Sequence, residues 1–105
     1  MLDNSTHLIR ITNAQYKNLQ SLYFVIGGKT FELTPNAQIW HREHNSAIQG
    51  DKDSIYLAIQ NIGQAYPGLD FICGMGFLER FYAVFDTGNR RLGLARTPFT
   101  NATTN

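Results

Sequence analysis

The tripeptide Asp86-Thr87-Gly88 is the first place where this sequence could carry out acid–base chemistry. Two carboxylates that share one proton can activate a water molecule, one acting as the base and the other as the acid. Asn89 follows the tripeptide, and Asp, Gly and Asn are the residues that tight turns select. We therefore interpret Asp86 as a hairpin-turn residue and assign no catalytic residue in this chain.

Three further residues have the types that metal sites or nucleophiles use. His41 and His44 are three apart, whereas a zinc site needs three or four ligands and a metalloprotease helix spaces its histidines four apart. We interpret their segment as a solvated loop and predict no metal site. Cys73 is the only cysteine, which excludes an internal disulfide. Because it lies in an apolar run, we predict a buried, unreactive thiol.

Length and charge limit the class of protein. A chain of 105 residues allows one small domain, and 43% hydrophobic residues are typical of a globular core. A formal net charge of +1 without a basic stripe gives no support for nucleic-acid binding. The sequence contains neither an apolar run of membrane-spanning length nor the apolar stretch of a signal peptide, so we expect no membrane partner.

Caps and turns predict the elements that would position these residues. Thr12 and Gln15 have the spacing of a capping box, which predicts a short helix. Gly27-Gly28 separates two apolar runs and predicts a hairpin with a primed turn. The predicted elements are a helix at 12–19, strands at 21–26 and 29–33, one helical turn at 36–39, a polar loop or hairpin at 41–54, a strand at 55–62, a buried strand at 69–73, a helix at 74–80, a hairpin of 81–85 with 91–95, and a flexible tail at 97–105.

These elements predict a mainly β fold with two short helices, and their order resembles a known family. Ile72-Cys73-Gly74 forms a hydrophobic-hydrophobic-Gly strand, and after a short helix Val84 begins a hairpin of the form V-F-D-x-x-N-x-x-x-G-L-A. This order resembles the closing segment of pepsin-like aspartic endopeptidases, and it is similar to the polyporopepsin-like secreted proteases of fungi. The resemblance extends upstream through 22–33 and 36–40. It implies that residues 1–105 are a single partial domain, the C-terminal segment of the second lobe of that β-barrel fold.

The resemblance also implies a function for the intact family member, which hydrolyses internal peptide bonds of peptide or protein substrates in acid without a cofactor. It aligns Asp86 with the family's C-terminal hairpin turn and leaves both catalytic Asp-Thr-Gly loops outside this chain. The isolated chain is therefore expected to be inactive, with the remainder of the protease as its partner. Whether it is a short protein, a truncated product or an incomplete reading frame stays open.

Several residues acquire roles only through the resemblance. Ile72 would face the primed side of the substrate cleft, although an ordinary buried strand residue remains an alternative. Ile72, Cys73 and Gly74 would form the strand that closes the ψ-shaped motif around a catalytic loop, but Cys73 and Met75 depart from the family's usual Leu and Asp. Because the family is secreted, Asn4 and Asn101 are predicted as N-glycosylation acceptors in two Asn-x-Thr triplets.

Two other classes of protein stay open. The chain could be a small non-enzymatic β-rich module that binds a protein or glycan. It could also be a retroviral-type protease, in which two copies assemble a catalytic pair from one Asp-Thr-Gly each, here using Asp86. That second class places its hydrophobic-hydrophobic-Gly strand after the catalytic loop, whereas Ile72-Cys73-Gly74 precedes the tripeptide.

Overall fold

The computed structural model describes residues 1–61, 63, 67–68 and 72–105. Within these residues the strands form three antiparallel two-stranded sheets, which pair β1 with β4, β2 with β3 and β5 with β6. The predicted mainly β fold with two short α-helices is confirmed. The elements are β1 Ile9–Ile11, α1 Asn13–Lys17, β2 Leu22–Ile26, β3 Lys29–Leu33, a first 3-10 helix Pro35–Gln38, a second 3-10 helix Arg42–Ile48, β4 Ile55–Leu57, α2 Met75–Leu78, β5 Phe81–Asp86 and β6 Arg91–Arg96.

The capping box at the start of α1 is present as predicted. Thr12 Oγ1 accepts from the backbone N–H of Gln15 at 3.1 Å, and Gln15 Oε1 accepts from the N–H of Thr12 at 2.8 Å. These two bonds satisfy amide groups that have no partner within the helix itself. The helix ends at Lys17, two residues earlier than predicted, and none of its residues is buried.

The hairpin of β2 and β3 also follows the prediction. Gly27 and Gly28 have φ angles of 59° and 78°, and Ile26 pairs with Lys29 across the turn. Positive φ at both central residues defines a primed turn, whose twist matches that of the two strands. On β3, Phe31 and Leu33 face the interior, with 6% and 4% of their surface exposed.

The hydrophobic core joins distant parts of the chain. Phe31 on β3 meets Phe81 on β5 edge to face, with ring centroids 5.5 Å apart, and Phe81 lies 4.8 Å from the ring of Phe77 on α2. Edge-to-face contacts add stabilisation beyond the burial of apolar area. These rings hold α2 and β5 against the first hairpin. The buried members of the core are Phe31, Leu33, Ala37, Phe77 and Phe81.

The polar segment 41–54 was predicted to be a surface loop or a hairpin, and this prediction is wrong in part. Arg42–Ile48 forms a 3-10 helix, and Asn45 within it is 1% exposed. Its Nδ2 donates to the carbonyl oxygens of Asp51 at 2.8 Å and Ser54 at 2.9 Å. The buried amide takes the place of water as the hydrogen-bond donor to these backbone carbonyls. A polar segment can therefore still place one of its side chains in the interior.

One further prediction of secondary structure needs correction, and another cannot be compared over most of its length. The strand predicted at 55–62 ends at Leu57. The strand predicted at 69–73 lies mostly outside the described residues, and Ile72 and Cys73 have no strand assignment. No helix in the described part of the chain has both the length and the apolarity that a bilayer crossing would require.

The prediction of an exposed, flexible tail at 97–105 is wrong for two of its residues. Thr100 and Asn105 are 3% and 8% exposed. Thr100 Oγ1 donates to the carbonyl oxygen of Arg80, and Asn105 Nδ2 donates to that of Asn36 at 3.0 Å. The side chain of Arg42 donates to the main-chain oxygen of Asn105. A polar segment is therefore ordered by hydrogen bonds to buried partners rather than by apolar contacts.

Candidate functional site

The segment Ile72-Cys73-Gly74 leads into α2 and places successive side chains in different environments. Ile72 is 57% exposed, whereas Cys73 is partly buried and packs against the hydrophobic core. Burial raises the pKa of the Cys73 thiol above its ordinary value. The predicted buried thiol is thus only partly buried, and the side chain of Ile72 beside it is exposed in this chain.

Gly74 connects this segment to α2. It is the N-cap residue of the helix, and its carbonyl oxygen accepts from the N–H groups of Phe77 at 3.1 Å and Leu78 at 2.9 Å. Phe77 inserts into the core and anchors the helix, whereas Met75 at its start is 80% exposed. Ile72 and Met75 therefore present two large apolar side chains to solvent on either side of a fixed cap. Such a surface can contact an apolar group of a ligand.

A buried arginine fixes the chain where α2 ends and β5 begins. Arg80 is 3% exposed, and burial lowers the pKa of its guanidinium from the ordinary value. Its Nη1 donates to the carbonyl oxygens of Phe99 at 3.2 Å and Ala102 at 2.7 Å, and its Nη2 donates to Asn36 Oδ1 at 3.0 Å. Three neutral oxygens thus accept hydrogen bonds from a buried cation. Sequence reasoning missed this role, because an isolated arginine carries no signal of its distant partners.

The carboxylate of Asp86 is held within the β5–β6 turn. Asn89 donates to it from its backbone N–H at 3.3 Å and from Nδ2 at 2.9 Å, and Arg91 donates from Nε at 3.1 Å. The hydrogen bond from the Asn89 side chain, followed by that from Arg91, holds the pKa of Asp86 below its ordinary value. Asp86 pairs directly with Arg91 in the strand register. Both carboxylate oxygens therefore accept hydrogen bonds from residues of the same hairpin.

The two histidines lie close together beside α2. His41 Nε2 lies 2.9 Å from Glu79 Oε1, His44 Nε2 lies 3.5 Å from Glu43 Oε1, and the two rings are 5.9 Å apart. Among the residues that the structure describes, no group of three or more His, Cys, Asp or Glu side chains could hold a metal ion. The His41–Glu79 contact joins the start of the second 3-10 helix to the end of α2, so His41 is not a purely solvated loop residue.

The two predicted glycosylation acceptors, Asn4 and Asn101, are both exposed and both lie in turns. Asp3 Oδ1 organises the first turn by accepting from the backbone N–H of Thr6 at 2.8 Å and from its hydroxyl at 3.0 Å. The second turn follows β6 and lies above Arg80, which bonds to the carbonyl oxygens of Phe99 and Ala102. Neither asparagine is enclosed by the fold.

The order of hairpins and helices, with the turn position of Asp86, defines a chain of the pepsin-like fold, and a comparison of sequences agrees. The family model for eukaryotic aspartyl protease matches residues 3–97. This chain therefore belongs to the eukaryotic aspartyl protease family, and the resemblance stated from the sequence is confirmed.

This chain matches only part of the length of each of its relatives. Polyporopepsin of Irpex lacteus is 62% identical over 104 residues, which are 98% of this chain and 31% of polyporopepsin. Human gastricsin is 38% identical over 79 residues, which are 75% of this chain and 19% of gastricsin. The crystal structure of the aspartic proteinase from Irpex lacteus matches with a TM-score of 0.93 and 60% identity, over 100% of this chain and 31% of that chain. The chain thus spans less than a third of the length of these relatives.

Proposed function

We propose that this chain is the C-terminal segment of the second lobe of a pepsin-like aspartic endopeptidase and that it supplies no catalytic carboxylate. The observation that carries this proposal is the position of Asp86, whose two carboxylate oxygens accept hydrogen bonds from Asn89 and Arg91 within one hairpin. A catalytic aspartate of this class must instead share a proton with a second carboxylate. Two aspartates of the intact enzyme, outside this chain, would hydrolyse internal peptide bonds in acid.

In this proposal Ile72 contributes to the substrate cleft. Its side chain is 57% exposed although the adjacent Cys73 packs against the core. A large apolar side chain held beside a fixed helix cap offers contact area for an apolar side chain of a peptide substrate. The reaction of this class uses protein carboxylates and water, and we propose that it needs no cofactor or metal here.

The proposed partner of this chain is the remainder of the protease. The described strands form three separate two-stranded sheets, and a two-stranded sheet by itself is marginally stable in water. Their outer faces carry exposed apolar side chains, including Val25 at 72% and Phe85 at 68% exposure. Further strands of the lobe would pair with these open edges and cover these faces. Without them, we expect the chain to be marginally stable and to self-associate.

We also propose an extracellular location and a fungal source. The support is the resemblance to secreted fungal proteases, together with the 62% identity to polyporopepsin of Irpex lacteus. We propose peptides and proteins as the substrate class, because the chain belongs to the aspartyl protease family, and we propose no role for nucleic acid or a membrane.

A chimaera tests the proposal. The matching 104 residues of polyporopepsin are replaced by this chain, and cleavage of denatured globin is measured at about pH 3, between the two apparent pKa values of a pepsin-type carboxylate pair. We expect the chimaera to be active and inhibited by a pepstatin-type inhibitor, and the chain alone to be inactive. The chimaera with Asp86→Asn should retain activity.

Two outcomes would contradict the proposal. Inhibitor-sensitive cleavage by the chain alone, lost on Asp86→Asn, would overturn the proposal and support a dimeric protease built around Asp86. An inactive but folded chimaera would favour the non-enzymatic binding module.

A further inference from the structure

The turn that follows β6 exposes an aromatic ring two residues before an asparagine. In the sequence Phe99-Thr-Asn-Ala-Thr103, Phe99 is 67% exposed and Asn101 is exposed. The N–H of Ala102 donates to the carbonyl oxygen of Phe99 at 3.1 Å and closes a turn over residues 99–102. The first and last Cα atoms of such a turn lie within about 7 Å of each other. Phe99 and Asn101 thus belong to one tight turn, and we expect a group attached to Asn101 to be able to reach the Phe99 ring.

Hydrogen bonds to Arg80 hold the backbone of this turn. Thr100, between the two exposed residues, is 3% exposed, and its hydroxyl donates to the carbonyl oxygen of Arg80. Arg80 Nη1 in turn donates to the carbonyl oxygens of Phe99 and Ala102. On either side of Thr100, Phe99 and Asn101 are both exposed. The backbone that carries the ring is thus held by hydrogen bonds, while the ring itself is largely exposed.

We propose that Asn101 is an N-glycosylation site and that Phe99 is the platform on which the first N-acetylglucosamine packs. Asn101-Ala-Thr103 has the acceptor pattern. In the transfer, Asn101 Nδ2 bonds to the anomeric carbon of a polyprenyl-diphosphate-linked oligosaccharide. The bond from that carbon to the diphosphate oxygen breaks, and the diphosphate leaves with the electron pair while the amide loses one proton to it. The proposal rests on the extracellular location proposed above.

The ring and the sugar are chemically complementary. The face of an aromatic ring is electron-rich, and the C–H groups on one face of a pyranose are weakly positive and apolar, so the two stack favourably. Stacking would also remove apolar area of Phe99 from water. Because Arg80 and Thr100 order the turn before the sugar arrives, little conformational entropy is lost on contact.

Asn4 provides a matched control within the same chain. Leu2 stands two residues before it, in the position that Phe99 has relative to Asn101, and Leu2 is also exposed, at 60%. Leucine has no π face. A glycan on Asn4 would therefore be tolerated without the same stabilisation.

The experiment uses the full chain, secreted from a yeast behind a foreign signal peptide, so that native secretion and protease activity do not affect the outcome. Glycopeptide mass spectrometry measures occupancy at both asparagines, and an endoglycosidase trims each glycan to one N-acetylglucosamine. Melting temperatures are compared for four chains, all of which carry Asn4→Gln. They have Asn101 or Asn101→Gln, each combined with Phe99 or with Phe99→Ala. The Asn4 glycan is tested in the same way in the Asn101→Gln chain.

We expect an occupied Asn101 whose sugar raises Tm by about 4 °C or more for a chain of this size, with little gain after Phe99→Ala and little gain from the Asn4 sugar. An unoccupied Asn101 would overturn the site, and an equal gain with Phe99→Ala would overturn the platform. If the chain melts without a clear transition, the acetyl protons of the Asn101 sugar are observed by NMR. An upfield shift that disappears in Phe99→Ala supports stacking, and its absence refutes it.

Discussion

Arg80 donates from Nη2 to Asn36 Oδ1 over 3.0 Å, and both side chains are buried although they lie 44 residues apart in the sequence. The same Asn36 oxygen accepts from the backbone N–H of Asn105 at 3.2 Å. One amide oxygen therefore joins the first 3-10 helix, the residue that precedes β5 and the C-terminal segment. Through this junction, α2 and the Ile72-Cys73-Gly74 segment before it are held in a defined position against the first hairpin.

Loss of that oxygen should destabilise the fold. Asn36→Leu leaves one Arg80 donor and the Asn105 N–H without their acceptor, and a buried polar group left unpaired costs about 1–3 kcal/mol. We expect a decrease of that size in the free energy of unfolding, measured by urea denaturation. Arg80→Met should be at least as damaging, whereas Arg96→Met at the exposed end of β6 is the control. Equal midpoints for the two arginine variants would contradict the junction.

The Asp86 turn should make stability depend on pH. Its pKa is lower in the folded chain, so its contribution is fully present above the unfolded value of about 3.9 and is lost as the pH falls through the folded value. Asp86→Asn should therefore lower the urea midpoint at neutral pH, and this difference should shrink as the solution is acidified below that range. Asp53→Asn, in an exposed loop, is the control. A difference between wild type and Asp86→Asn that grows on acidification would refute the assignment.

Cys73 should react slowly but not be fully protected. Burial against the core raises the pKa of its thiol and leaves less of the reactive thiolate than a free cysteine has at the same pH. We expect a disulfide reagent to label it more slowly in the folded than in the urea-unfolded chain. The control is Met75→Cys in a Cys73→Ser background, because Met75 is 80% exposed. Equal labelling rates at the two positions would show that Cys73 is not shielded.

Gly50 is expected to be intolerant of a side chain for steric reasons. A Cβ there would lie 2.8 Å from Tyr56 Cε2 and 3.2 Å from the carbonyl oxygen of Asn45, and both of these residues are 1% exposed. Gly50→Ala should cost about 1–3 kcal/mol, the usual cost of overpacking. Gly76→Ala is the control, since among the described residues its Cβ would meet only Ala58 Cβ, at 3.9 Å. A loss of stability at Gly76 as large as that at Gly50 would contradict this explanation.

The sequence alone was sufficient to predict local structure wherever the residues that determine an element lie within a few positions of it. The Thr12–Gln15 capping box, the Gly27-Gly28 turn and the hairpin around Asp86 were all predicted, because caps and turns are decided by local hydrogen bonds and backbone preferences. The family resemblance has a similar origin, since it depends on the order of such local motifs along the chain. The strand predicted at 55–62 has no such local signal at its end, and the prediction was too long.

Tertiary structure alone decided which polar residues lie inside. Asn45 lies in a polar segment whose composition is typical of an exposed loop, and the same is true of Thr100 and Asn105 in the tail. Each of the three is nevertheless buried and hydrogen-bonded. Asn105 reaches Asn36 across 69 residues, and Arg80 reaches Phe99 across 19. Whether a polar side chain is solvated or buried depends on the presence of a partner in space. The sequence does not reveal that partner until the core of Phe31, Phe77 and Phe81 has brought the segments together.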